Sequence, residues 1–304
     1  MRNKPSKKHH YLPRHYLKGF TNSEGGFFVY DKHTGKIFPT SPDSAFFENN
    51  LNTTESPDGN QSDSLEGLYT RIENQCWDSL DRIRGSDYST PIEYWDKMNL
   101  FFFLLFLHWR LPCNIKLIDN LSDDFFREDN DIDYFRILSK TGDVVPKETI
   151  EKIRKSSAFK KFAKQIVSFA PFFKDENWGR QLLEWRFIYT GDEKSWYIVG
   201  DNPIITLGDS DQDPVNCLKK FIFPISGKIL LVSGYGRTDQ SLPLEFAIQY
   251  GAGIIERAQR FVACQNQSFL EALLKYHQLH VQYAKTDIII RDIFEMLDEE
   301  KGKR

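Results

Sequence analysis

Chemistry-bearing residues crowd the start of this chain, where His9-His10-Tyr11-Leu12-Pro13-Arg14-His15-Tyr16-Leu17-Lys18-Gly19-Phe20 sets three of the seven histidines within seven positions. Imidazole titrates near neutral pH and can pass a proton or bind a metal, so this is the natural place to look for a site. His9 and His10 are adjacent and would project to opposite faces of a strand, which disfavours one shared ion. His10 is the candidate general acid or base, and a histidine bonded to a backbone carbonyl is the structural alternative.

Other candidates lie far away in the chain. Asp201-Asn202-Pro203 follows an apolar run that reads as a strand, a place where a side chain is held rigidly at a sheet edge beside a cleft. The same tripeptide also makes an ordinary turn, because Asp and Asn bond their own backbone and Pro fixes φ. Glu73 stands beside the apolar stripe of a helix and is a possible third carboxylate. Arg110, at the end of an apolar helix, either clamps an anion with its planar fork or pairs with Glu73 or Asp201. Arg14 and Asn202 complete the expected substrate-binding set. His277 and His280, at i and i+3 on a helix, share a face and form a weaker metal candidate.

The elements that must position these groups follow from hydrophobic period and turn signals. Residues 26–38 alternate around Lys32-His33-Thr34-Gly35 and predict a β-hairpin, and the polar stretch 53–64 predicts an exposed loop. Leu65, Leu68, Ile72, Cys76 and Leu80 recur at helical spacing up to about Arg84. A second helix spans about 91–111, with Pro91 in its first turn and Pro112 as its stop. Residues 185–189 and 196–199 read as two paired antiparallel strands, and 221–225 with 228–232 as two more. Helices are predicted over 244–258, 268–284 and 286–297. The acidic stretch 119–145 lacks the glycine and spacing of an EF-hand loop, and 147–169 reads as a basic amphipathic surface helix. With no repeat and no Gly/Ser linker, one α+β domain is expected over 9–297, a small antiparallel sheet packed with several helices. Residues 1–8 form a basic arm and 298–304 a charged tail.

Composition narrows the class. A formal net charge of -3 gives no global reason to expect nucleic acid, although residues 1–20 carry six Lys/Arg and no acid, an arm suited to phosphates. Cys76, Cys113, Cys217 and Cys264 are scattered without metal spacing and read as reduced thiols of a cytoplasmic protein. The apolar run 98–107 is too short to cross a bilayer and reads as a buried core helix, so no membrane partner is expected. No Gly-rich phosphate loop, Gly-x-Ser-x-Gly elbow, His-Glu-x-x-His or catalytic-cysteine signature is present.

His10, Pro13, Tyr16, Leu17 and Phe20 resemble the opening signature, His-x-x-Pro-x-x-Tyr-Leu-x-x-Phe, of a bacterial and phage-associated family catalogued as domain of unknown function 4238. Ile72-Glu73, Arg110 with Pro112, Gly200-Asp201-Asn202-Pro203-Ile204 and Gly253-Ile254-Ile255-Glu256-Arg257-Ala258 follow in the family's order. The likeness spans residues 9 to 275. Gly200 stands where the family usually has Ser or Thr, so a role resting on that hydroxyl is absent here. The resemblance implies a shared fold and supplies no activity.

Two functions fit these residues. One is a phosphodiester-cleaving, nuclease-like toxin or defence effector, with His10, Asp201 and Glu73 on the chemistry and Arg14, Arg110 and Asn202 on the substrate, with or without a divalent cation such as Mg²⁺. The other is a non-catalytic binding protein in which the same residues join the N-terminal segment to the sheet. Convergence of His10 with Asp201, Glu73 and Arg110 on one cleft separates them.

Overall fold

The computed structural model describes residues 8–55, 61–114, 148, 178–190, 196–206, 218–234, 242–283 and 286–298. The acidic and basic stretches expected at 119–145 and 147–169 lie outside these residues, apart from Glu148, as do Cys217 and most of the arm and tail. Among the described residues the chain forms β1 (Lys8–His10), α1 (Arg14–Leu17), β2 (Phe27–Asp31), β3 (Lys36–Thr40), β4 (Phe47–Asn49), β5 (Thr54–Glu55), β6 (Gln61–Ser62), α2 (Ser64–Arg84) and α3 (Tyr94–Arg110). Then come β7 (Arg186–Tyr189), β8 (Val199–Gly200), β9 (Ile205–Thr206), β10 (Phe221–Ser226), β11 (Ile229–Ser233), α4 (Leu244–Arg257), β12 (Phe261–Cys264), α5 (Gln267–Tyr283) and α6 (Thr286–Asp298). This is an α+β fold.

Two four-stranded antiparallel sheets organise it, in the orders β7-β11-β10-β9 and β3-β2-β12-β8, with two-stranded ribbons β1-β4 and β5-β6 beside them. The first sheet is buried on both faces, which explains why β10 and β11 read as unbroken apolar runs. Phe221, Phe223, Ile225, Ile229 and Leu231 pack into a core shared with α1, α2 and α3. Ile188, Ile222, Leu230 and Val232 pack into a second core with α4, α5 and α6. One strand pair thus serves two cores through its period of two.

The hairpins 26–38 and 221–232 form as expected, as do the helices predicted within the described residues. Pro91 precedes α3 instead of entering its first turn. Two further expectations fail. Segments 185–189 and 196–199 do not pair with each other: β7 joins β11 in the first sheet, while β8 joins β12 in the second. The stretch 53–64 is also more than a loop, since Thr54 pairs with Ser62 and Glu55 with Gln61. The run within α3 is a core helix, with Leu100, Phe101, Leu104, Leu105 and Leu107 buried. No helix among the described residues is long and apolar enough to cross a membrane.

Candidate functional site

The opening motif divides between packing and exposure. Tyr16 and Leu17 are buried, and the Tyr16 hydroxyl donates to the Pro224 carbonyl at 2.8 Å while its ring stacks on Phe223. Arg84 donates to the main-chain carbonyls of His15 at 3.1 Å and Tyr16 at 2.6 Å. These bonds pin the short helix α1 to the first sheet and to α2, and they leave Arg14 and His15 on its open side. In β1, His9 is fully buried and accepts from the Asn52 amide at 2.8 Å, while His10 lies on the other side of the strand against Phe47. The strand alternation therefore separates the two rings, as their adjacency predicts.

A cavity of about 590 Å³ opens between this segment and α2. His10, Arg14 and His15 line it from one side, and Glu66, Thr70, Glu73, Asn74 and Trp77 from the other. The α2 residues fall at helical spacing, so a single polar face of that helix makes the wall. Lys8, Lys18, Asp43 and Arg110 complete the charged lining, four Lys/Arg against three acids.

Arg110, at the C-terminus of α3, crosses into this cavity from the core side. Its Nε donates to the Tyr11 carbonyl at 2.8 Å, and its Nη1 donates to the Glu73 carboxylate. Its plane lies over the Tyr69 ring. Nη2 is buried and has no hydrogen-bond partner. Burial pushes the Glu73 carboxyl up from its ordinary range, with the Arg110 charge acting against that shift. His10 donates one ring N–H to the Asp43 carbonyl, and its other nitrogen, Nε2, is buried without a partner. Its pKa is lowered, first by burial and then by the Arg14 charge, which favours the neutral ring with a lone pair on Nε2.

Asp201 lies elsewhere. It lines a second cavity of about 310 Å³ with Tyr11, His33, Phe47, Glu48 and Arg260 among its neighbours. Its Oδ1 accepts from the Gln259 amide at 2.7 Å, and its Oδ2 accepts from the Arg260 and Phe261 amides at 2.7 and 2.9 Å. The carboxylate thus holds the α4–β12 connection. Burial raises its pKa against the pull of those three donors. The structure brings together His10, Glu73, Arg14 and Arg110, and it does not bring Asp201 or Asn202 into their cavity. Tyr11 links the two places, its carbonyl bonded to Arg110 and its ring in the Asp201 cavity.

Sequence reasoning gave no role to His15 and missed Trp77, Glu66 and Asp81. The signal available was the polar period 66, 70, 73, 74, 77 on α2, opposite the apolar stripe. Among the described residues no group of three or more His, Cys, Asp or Glu could hold a metal ion. Glu73, Glu66 and Asp43 are each bonded to a side-chain donor, Arg110, Asn52 and Arg14 respectively, so these carboxylates do not converge as a Mg²⁺ ligand set. The histidines of α5 diverge, His277 bonding Glu256 at 2.8 Å and His280 stacking on Tyr276.

The fold and site define an α+β protein with a polar cavity between its N-terminal motif and one helix. The chain belongs to the family described as Protein of unknown function (DUF4238), whose model matches residues 8–242. The match contains every lining residue of the first cavity named above and ends before the segment 253–258. No curated protein and no solved structure matches the chain.

Proposed function

We propose that the chain is a phosphodiester-cleaving, nuclease-like enzyme acting in the cavity of His10, Arg14, Glu73 and Arg110. The observation that carries this reading is the pair of buried, unpartnered polar atoms on two side chains of that one cavity, Nε2 of His10 and Nη2 of Arg110. Buried polar groups are nearly always bonded, and one left open at a cavity is a place where a ligand atom completes the set. A neutral imidazole nitrogen accepts a proton, and a guanidinium N–H donates to an anionic oxygen. Phosphodiester cleavage presents both partners, the O–H of the attacking water or ribose 2′-hydroxyl to be deprotonated and non-bridging oxygens that gain charge as phosphorus is attacked.

Glu73 holds the guanidinium in place and balances its charge. Lys8, Arg14 and Lys18 at the rim suit the neighbouring phosphates of a strand, the role expected of the basic arm. A toxin or defence effector is the setting that the family resemblance suggests for such an activity. Asp201 takes the structural role instead, since all its visible bonds go to main-chain amides.

The test is cleavage of a panel of RNA and DNA, single- and double-stranded, with and without Mg²⁺ or Mn²⁺. His10→Ala, folded by circular dichroism, is expected to lower the rate about 10²–10⁴-fold, the usual contribution of one acid–base group. Arg14→Ala is expected to weaken binding without unfolding the protein, because that side chain is largely exposed. Absence of cleavage by the wild-type protein under every condition would sink the reading.

A further inference from the structure

His15 is the second imidazole of the cavity, and its surroundings are built. Its Nε2 pairs with Asp81 Oδ1 at 2.8 Å, and its ring stacks on Trp77 with centroids 4.5 Å apart and planes 19° from parallel. Its carbonyl is held by Arg84, which also approaches Asp81 at 3.5 Å. Both His15 and Asp81 are partly exposed, where an ion pair contributes little to stability. An orienting carboxylate, a stacked indole and a pinned backbone together fix the ring direction far more than such a pair would need. A carboxylate on one ring nitrogen orients the imidazole and leaves the other nitrogen for a ligand atom.

Resting on the nuclease reading above, we propose that His15 is a second catalytic residue, positioned by Asp81, and that the substrate is RNA cleaved through its own 2′-hydroxyl. His10 Nε2 takes the 2′-hydroxyl proton, and the 2′ oxygen forms a bond to phosphorus. The P–O5′ bond breaks with its electron pair on O5′, which receives the Nδ1 proton of the His15 imidazolium. Charge on the non-bridging oxygens falls to Arg110 and Arg14. The products are a 2′,3′-cyclic phosphate and a 5′-hydroxyl, with His10 having gained the proton that His15 lost. Exchange with water restores both rings. Two proton-transfer groups and an anion clamp complete this reaction, and the nucleophile belongs to the substrate.

The test compares two substrates that differ in the leaving group: an RNA oligonucleotide, and a nucleoside 3′-(4-nitrophenyl phosphate) whose aryloxide departs without a proton. His15→Asn is expected to cut RNA at least about 100-fold more slowly yet to cleave the aryl ester within about threefold of wild type, as the loss of a general acid requires. Asp81→Asn is expected to show the same asymmetry with a smaller loss, and His10→Asn to lose both activities. An oligonucleotide carrying a 2′-deoxy residue at the scissile position is expected to remain intact. An equal loss of His15→Asn on both esters, or equal cleavage of the ribose and deoxyribose strands, would overturn this proposal while leaving the phosphodiester reading standing. A wild-type protein that cleaves neither strand would overturn both.

Discussion

At the scale of single residues, the Arg110–Glu73 pair holds the site together and is costly to break. The guanidinium is about 5 % exposed and its carboxylate partner about 19 %, so removing either charge strands the other in a poorly solvated place. Glu73→Gln is expected to destabilise the protein by about 2–3 kcal/mol in urea unfolding, below the range of about 3–5 for full loss of a buried partner because the amide oxygen still accepts a bond. Arg110→Met combined with Glu73→Leu is expected to cost less than Arg110→Met alone, since no charge is then left unpaired. His10 supplies a pH test whose sign follows from its lowered pKa. The unfolded chain binds a proton near pH 6.5 and the folded one only below it, so stability falls as pH drops from about 6.5 to the folded value and levels off beneath. Denaturant midpoints measured against pH for wild type and His10→Asn are expected to show this slope in the first and its loss in the second.

At the scale of elements, Asp201 shows how one motif separates into structure and site. It follows β8, and its three amide donors run from the turn after α4 into Phe261, the first residue of β12, so the bonds tie β8 to the start of that strand. Asp201→Asn replaces an acceptor oxygen with a donor facing a donor. The expected cost is about 2–4 kcal/mol in chemical denaturation, with cleavage per folded molecule unchanged. A comparable loss of activity at full folding would return Asp201 to the chemistry. Gly200, just before it, has a packing reason in this chain. A Cβ there would stand 3.1 Å from Ile254 Cγ2 and 3.3 Å from Ala258 Cβ, so the end of α4 presses on β8. Gly200→Ala is expected to lower stability by about 1–3 kcal/mol, read as a shift in thermal midpoint, because the helix must yield.

At the scale of the whole molecule, the family match and the folding unit have different limits. Residues beyond 242 supply β12, the strand between β2 and β8, and the helices α4, α5 and α6 that cover the first sheet's second face. Val262 and Ala263 are fully buried within that strand. A chain ending at residue 242 loses the centre of one sheet and half the cover of the other. It is expected to show no cooperative unfolding transition, and a compact, cooperatively unfolding fragment would show that the first sheet folds alone.

Much of this was legible in the residues. The 3.6 period placed α2, α4, α5 and α6, Pro112 marked the stop of α3, and the alternation of residues 26–38 placed a hairpin, because local spacing and turn chemistry depend on near neighbours. The histidine-rich opening pointed to the cavity for the same reason, its apolar members spaced to bury and its polar members left over. Strand partners beyond the two hairpins were not legible: β7 and β8 are close in sequence, yet they bond to β11 and β12, because a strand pairs where its backbone donors and side-chain face find a match across the fold. The site divided likewise. Residue types alone marked His10, Glu73 and Arg110 as capable of acid–base and anion chemistry, while only the docking of α1 against α2 set His15 on Asp81 and Trp77. Only the packing of β8 against β12 removed Asp201 from their company, since a carboxylate surrounded by three amide N–H groups has its partners decided by the backbone that folds around it.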